Sequence, residues 1–201
     1  MQNYKDILSE ILIDEESLQQ RVRELGEQIS RDYAGQDLLL ICILRGGLVF
    51  MVDLMRQISV PHGIDCMAIV SYGQGARASS GNVRLTLDLQ TNIEGRNVLL
   101  VEDIVDSGRT IAHVLEMLAT RHPKSLKVCA LLDKAERREV PVPIDYCGFN
   151  IADKFVFGYG LDLDELYRNL PFVAVVDLKR YSPPLSPHFE TQNGGMNKEV
   201  E

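Results

Sequence analysis

Short, almost continuous apolar runs at Leu38–Leu44, at 98–101 and at 126–132 limit the fold of this chain more than any other feature. A strand apolar at alternate positions has one dry face, whereas a run apolar throughout must be dry on both. The first run is bounded by Asp37 and by Gly46-Gly47, and stretches of helical spacing separate it from its successors. Leu18, Val22, Leu25, Ile29 and Tyr33 recur every three or four residues, which predicts an amphipathic helix with Asp14 as its cap and Gly35 beyond its end. Residues 48–58 and 111–119 repeat that pattern, while 64–70, 83–89, 144–151, 155–159 and 172–176 predict further strands. Strands alternating with helices predict an α/β fold, an open and mainly parallel sheet flanked by helices on both faces. Ligands in such sheets bind beyond the carboxyl ends of the strands.

Directly after the run at 98–101 comes Glu102-Asp103-Ile104-Val105-Asp106-Ser107-Gly108-Arg109-Thr110, with three carboxylates inside five positions. Carboxylates at the end of a buried strand are costly unless they bind something. A helix N-cap preceded by acidic loop residues would account for one of them, not for the whole set. The segment is neither a Walker loop nor a dinucleotide fingerprint, because the glycines and lysine of those motifs are missing. Ser107, Gly108, Arg109 and Thr110 can present backbone amides and two hydroxyls to a phosphate at a helix start. Glu102 and Asp103 suit ribose hydroxyls or a hydrated magnesium ion, and Asp106 is placed as a proton acceptor. Leu44-Arg45-Gly46-Gly47 also ends a buried strand, where glycines permit close approach to a polyanion and Arg45 adds charge.

The net charge of −8 argues against a general nucleic-acid surface, so positive charge for a phosphate must come from placed arginines or a divalent metal. Cys42, Cys66, Cys129 and Cys147 are widely spaced and read as reduced thiols. The N-terminal residues lack a basic and then apolar leader, and no apolar run approaches the roughly 20 residues needed to span a bilayer. The expectation is a cytoplasmic protein with no membrane and no nucleic-acid partner.

The segment from Val101 to Thr110 resembles the phosphoribosyl pyrophosphate motif of the type I phosphoribosyltransferases, in the form of the hypoxanthine-guanine branch. The resemblance runs over most of residues 5–178, through Leu44-Arg45-Gly46-Gly47, Ser71-Tyr72-Gly73, Leu131-Leu132-Asp133-Lys134 and the stretch from Asp153 to Asp162. Five matches in the expected order are specific where one would not be. The resemblance implies an open, mainly parallel sheet with a small hood built from the N-terminal segment and about 145–178. One domain then fills 1–181, and 182–201 is a loose tail.

It also implies roles. Glu102 and Asp103 would contact the ribose hydroxyls and Mg2+, Asp106 would be the general acid/base, and Ser107, Gly108, Arg109 and Thr110 would cradle the 5′-phosphate. Arg45, Gly46 and Arg168 would meet pyrophosphate. Lys134 would donate to the 6-oxo group of a purine, Phe155 would stack on the ring, the Val156 backbone would read its edge, and Asp162 would carry a second magnesium. Ser71 and Tyr72 would close as a lid, since a ribosyl cation-like transition state must be shielded from water. A cis peptide is implied before Arg45. Arg45, Ser107 and Arg109 replace the family's commoner lysine, threonine and lysine.

The implied reaction joins phosphoribosyl pyrophosphate to hypoxanthine or guanine, in a homodimer or homotetramer. A base donor such as Lys134 would reject a 6-amino purine. Two rivals remain: a xanthine-preferring transferase, and a nucleotide-sensing regulator on the same fold that binds RNA. The second predicts a basic face and no catalytic acid, and both Asp106 and the net charge of −8 count against it.

Overall fold

The computed structural model describes residues 2–72 and 82–183. Strand β2 (Leu38–Leu44) is buried at every position through Ile43, as an unbroken apolar run requires. Leu38, Leu40 and Cys42 face one cluster, with Leu18, Val22, Leu25 and Ile29 of α2 (Glu15–Asp32) and Phe50, Met51 and Leu54 of α3 (Leu48–Gln57). Leu39, Ile41 and Ile43 face the other, with Ile111, Val114 and Leu118 of α4 (Arg109–Ala119). The two cores on either face of one sheet explain why no polar position interrupts the strand. Asp14 caps α2 as expected, its Oδ1 accepting from Ser17 N at 2.8 Å. No helix among the described residues is long and apolar enough to cross a membrane.

The large sheet has the order β4-β3-β2-β5-β6-β7, with β3 (Gly63–Tyr72), β4 (Asn82–Leu87), β5 (Asn97–Val105), β6 (Ser125–Asp133) and β7 (Tyr146–Asn150). All its pairings are parallel except that of the edge strand β4. From β2 the chain proceeds to β3 on one side, then returns to β5 on the other. A crevice therefore opens beyond the carboxyl ends of β2 and β5, at the topological switch point.

A second sheet, β1-β9-β8, is built from β1 (Leu8–Ile13), β8 (Val156–Phe157) and β9 (Val173–Val176). The one-turn helix α1 (Tyr4–Ile7) leads into it, and Ile7, Phe157, Leu163, Leu170, Ala174 and Val176 form its own small core.

Several expectations need correction. β5 does not stop at Val101 but runs to Val105, pairing Ile104 with Leu132 and Val105 with Asp133. Residues 146–150 belong to the large sheet, because Cys129 pairs with Tyr146 and Ala130 with Cys147, so the expected hood segment contributes only its later part to the small sheet. The strand expected at 155–159 keeps two residues, since Gly158, Tyr159 and Gly160 take φ of +95°, +50° and +98° and turn the chain away. β1 was not expected at all. Ser71 and Tyr72, expected to act as a lid, end β3, but their side chains and residues 73–81 lie outside the described residues, as do residues 184–201, which cover nearly all of the expected tail.

Candidate active site

Because β5 continues past its apolar run, Glu102 and Asp103 are strand residues inside the protein, 9% and 7% exposed. Glu102 Oε2 is buried with no hydrogen-bond partner among the described residues. Burial, and then the neighbouring Asp103, pushes the Glu102 carboxyl well above the usual carboxylate range. Burial also lifts Asp103 to about 6, against the opposing backbone hydrogen bond from Ile104 N to its Oδ1 at 2.9 Å. Two buried carboxyls held above their ordinary range, one with an orphaned oxygen, can receive hydroxyl donors or a cation.

Gly46 covers this pair from the end of β2. A Cβ there would overlap Asp103 Oδ2, so glycine is the residue that lets the loop close onto the carboxylate. The preceding peptide, Leu44-Arg45, is cis, as the family resemblance implies. From the far side comes the loop 158–168. Gly160 packs so close to the Gly46 carbonyl that a side chain would collide with it. Asp162 does not begin a helix: its carboxylate pairs with Arg168 at 2.9 Å and accepts from Glu165 N at 2.9 Å. Arg168 also donates to the Gly160 carbonyl at 2.8 Å. The charges of Arg168 and Asp162 both act on Asp103, which places this loop at the same site as the β5 carboxylates. Arg45 and Arg168 share one partner, the carboxylate of Glu165.

After Val105 the chain turns into α4. Gly108 sits at the N-cap with φ +84°, and a Cβ there would strike the Val140 carbonyl. The turn is held by the segment after β6. Glu139 and Val140 donate their amides to the Ser107 carbonyl at 2.9 and 3.0 Å, and Arg138 donates to the Asp106 carbonyl at 3.0 Å while pairing with Asp133. Arg109 Nε donates to Glu139 at 2.7 Å. Thus Ser107, Gly108, Arg109 and Thr110 stand at the start of a long helix with their backbone fixed from behind, where first-turn amides lack intrahelical acceptors.

Lys134 directly follows β6 and is only 6% exposed, not a solvated surface lysine. Its Nζ lies 3.9 Å from Asp106 Oδ2 and 3.5 Å from Asp153 Oδ1. Phe155, 38% exposed, and Val156 lie nearby in sequence; β8 is an edge strand, so one side of the Val156 backbone faces away from β9. Asp153, Arg137, Arg138 and Glu165 were not singled out from sequence, although the Arg137-Arg138 doublet three residues after Lys134 was a readable signal.

A family model for the phosphoribosyl transferase domain matches residues 9–165. The chain belongs to the phosphoribosyltransferase family. It is 47% identical over 171 residues to the hypoxanthine phosphoribosyltransferase of Salmonella typhimurium, covering 84% of this chain and 96% of that one. It is 46% identical over 184 residues to the hypoxanthine-guanine phosphoribosyltransferase of Mycobacterium avium, covering 89% and 90%. Among solved structures, a hypoxanthine phosphoribosyltransferase from Staphylococcus aureus superimposes with a TM-score of 0.85 at 40% identity, over 90% of this chain and 97% of that one. In this phosphoribosyltransferase chain four of the five motifs that carried the resemblance, all but Ser71-Tyr72-Gly73, converge on the switch-point crevice and on the layer beside it.

Proposed function

We propose that this chain transfers the 5-phosphoribosyl group of phosphoribosyl pyrophosphate to hypoxanthine or guanine, releasing pyrophosphate. The observation that carries the choice of base is the buried Lys134 amine beside Asp106, a fixed donor next to a carboxylate at the edge of a phosphate-binding turn. A 6-oxo group accepts from such a donor, whereas a 6-amino group leaves it unpaired, a mismatch that costs far more than an imperfect apolar fit. Phe155 supplies the stacking face and the Val156 backbone the edge contact. The 5′-phosphate lies on the Ser107–Thr110 turn, and Arg45, Gly46 and Arg168 face the pyrophosphate.

In the reaction the purine nitrogen attacks the anomeric carbon as the bond from that carbon to the pyrophosphate oxygen breaks. Asp106 takes the proton that the purine gives up. Glu102 and Asp103 hold the ribose hydroxyls, fixing the ring while positive charge develops on it. The donor set suits magnesium: the carboxylate oxygens are hard ligands and Glu102 Oε2 has no hydrogen-bond partner among the described residues. Glu102, Asp103 and Asp162 would hold the ion, beside water and substrate oxygens. When bound, the ion supplies charge that neutralises and orients the leaving pyrophosphate. Chelation with EDTA is expected to abolish turnover, and added magnesium to restore it.

A spectrophotometric assay with hypoxanthine, guanine, xanthine and adenine in turn tests the reading. Conversion of 6-oxopurines without adenine is expected, and xanthine preference would move the assignment to the neighbouring specificity. If no base is converted, the regulator on the same fold takes its place. We further propose a cytoplasmic homodimer or homotetramer. The free thiols Cys42, Cys66, Cys129 and Cys147 suit a reducing compartment, and Ile64, Val70 and Leu87 expose apolar surface along β3 and β4. Sedimentation at the mass of a monomer would refute the assembly.

A further inference from the structure

Four charged groups form a closed ring at the end of β6. Arg137 Nε lies 3.1 Å from Asp106 Oδ1, and its Nη1 lies 3.4 Å from both carboxylate oxygens of Asp153. Lys134 Nζ stands across from it, 3.5 Å from Asp153 Oδ1 and 3.9 Å from Asp106 Oδ2. Two cations thus share two carboxylates: Arg137 stands nearer Asp106, 3.1 against 3.9 Å, and the two are almost level at Asp153, 3.4 against 3.5 Å. The lysine separations are those of ion pairs longer than the 2.7–2.9 Å or so of a charge-assisted hydrogen bond, so its amine can still donate to a third acceptor. Arg137 and Lys134 come from one short segment, with Arg137 in the single 3-10 turn Ala135–Arg137 that follows Lys134. Asp106 comes from the end of β5, and Asp153 precedes Phe155 in the layer beside it.

We propose that Arg137 is a positioning residue: by pairing with Asp106 and Asp153 it aims the Asp106 carboxylate and keeps the Lys134 amine available to the base. The inference rests on the transferase reading above. Arg137 touches no substrate in it. Without Arg137, Lys134 is the one remaining cation of the ring and faces both carboxylates. The buried amine is then drawn toward two half-exposed acids that no other cation of the ring offsets, because opposite charges attract more strongly where one of them lies out of water. The base then loses its donor and Asp106 loses its orientation, while the phosphate turn, held separately by Arg138, Glu139 and Val140, stays in place.

Steady-state kinetics with hypoxanthine and phosphoribosyl pyrophosphate test this on Arg137→Gln, Arg137→Lys and the double variant Arg137→Gln/Asp153→Asn. Arg137→Gln is expected to lower kcat/KM for hypoxanthine about tenfold, a size typical of coupled charged neighbours. KM for phosphoribosyl pyrophosphate should stay within about twofold on the same reasoning. Arg137→Lys should recover most of the loss, since the Arg137–Asp106 contact is an ion pair and not an aligned hydrogen bond. Removing the Asp153 charge in the double variant should recover part of it, because Lys134 then has one acid fewer to answer. The inference is overturned if Arg137→Gln is as active as the parent, if both KM values rise together, or if the double variant is worse than the single one. A variant that melts earlier is judged by Arg137→Lys, and failure of that variant at parental melting temperature also overturns it. Should the parent convert no base, the transferase reading has failed instead, which is a separate and earlier outcome.

Discussion

Single atoms decide how the crevice is lined. Asp103 is pressed by Gly46 so closely that a methyl group at position 46 must displace the Asp103 carboxylate. Gly46→Ala is therefore expected to raise KM for phosphoribosyl pyrophosphate on the order of 10²-fold, the scale of an ångström-sized misplacement in a reacting site, with little change in melting temperature. A large melting shift with unchanged KM would refute it. Asp106 differs from its two neighbours. It lies beyond the strand, its side chain 43% exposed, and pairs with Arg137 and Lys134. Asp106→Asn keeps the shape and removes the base, so kcat should fall by roughly 10²–10⁴-fold while nucleotide product binds nearly as before. Unchanged turnover would take Asp106 out of the mechanism. The residues of the β5 carboxylate set were legible because acids after an apolar run have no reason in folding alone. Glu165, which bridges Arg45 and Arg168, was not legible, since an acid in a loop looks the same whether solvated or paired.

Elements were readable where their neighbours are close in sequence or uniformly apolar. β2 and β6 announce themselves because both faces are covered. β1 does not: its burial is irregular along Leu8–Ile13, and its pairing with β9 is broken by register shifts, so no period of two survives in the sequence. β5 was cut short for a related reason, since acidic residues inside a strand imitate a loop. In the small sheet, Phe157 is fully buried and meets Tyr167 edge-on, with ring centroids 5.8 Å apart. Phe157→Ala is expected to cost about 3–5 kcal/mol. Hydrogen exchange should show the loss concentrated in β1, β8 and β9, with β2 and β5 still protected. Equal loss in both sheets would mean that they unfold as one unit.

At the scale of the molecule, the buried acids link stability to pH. Burial lifts Asp103 from 3.8 to about 6, so between those values the folded chain holds a proton that the unfolded chain has released. The contribution of Asp103 to the stability of the ligand-free protein is thus largest below that window and falls as pH rises through it, by roughly 2–3 kcal/mol for a shift of about two pK units. Glu102, raised further, extends the fall to higher pH. Asp103→Asn should flatten the difference between pH 4 and 6.5 in denaturant titrations, and an unchanged slope would count against the assignment. The alternation of strands and helices placed the crevice correctly from sequence, because the carboxyl ends of parallel strands fall on one edge. Which loops lean over that crevice could not be read, since the contacts of Gly160 with Gly46 and of Val140 with Ser107 span distant parts of the chain.

The small sheet has a consequence for synthesis. Its β1 leaves the ribosome ahead of every strand of the large sheet, yet its hydrogen-bonding partner β9 ends at Val176, with the whole large sheet made in between. Domains fold as their chains emerge, so the half that carries Glu102, Asp103 and the helix start can assemble first. Leu8–Ile13 must then wait unpaired until the last strand arrives. The layer holding Phe155 and Val156 is then completed after the large sheet, so on the proposed reading the phosphate turn and Lys134 are in place before the face that stacks on the base.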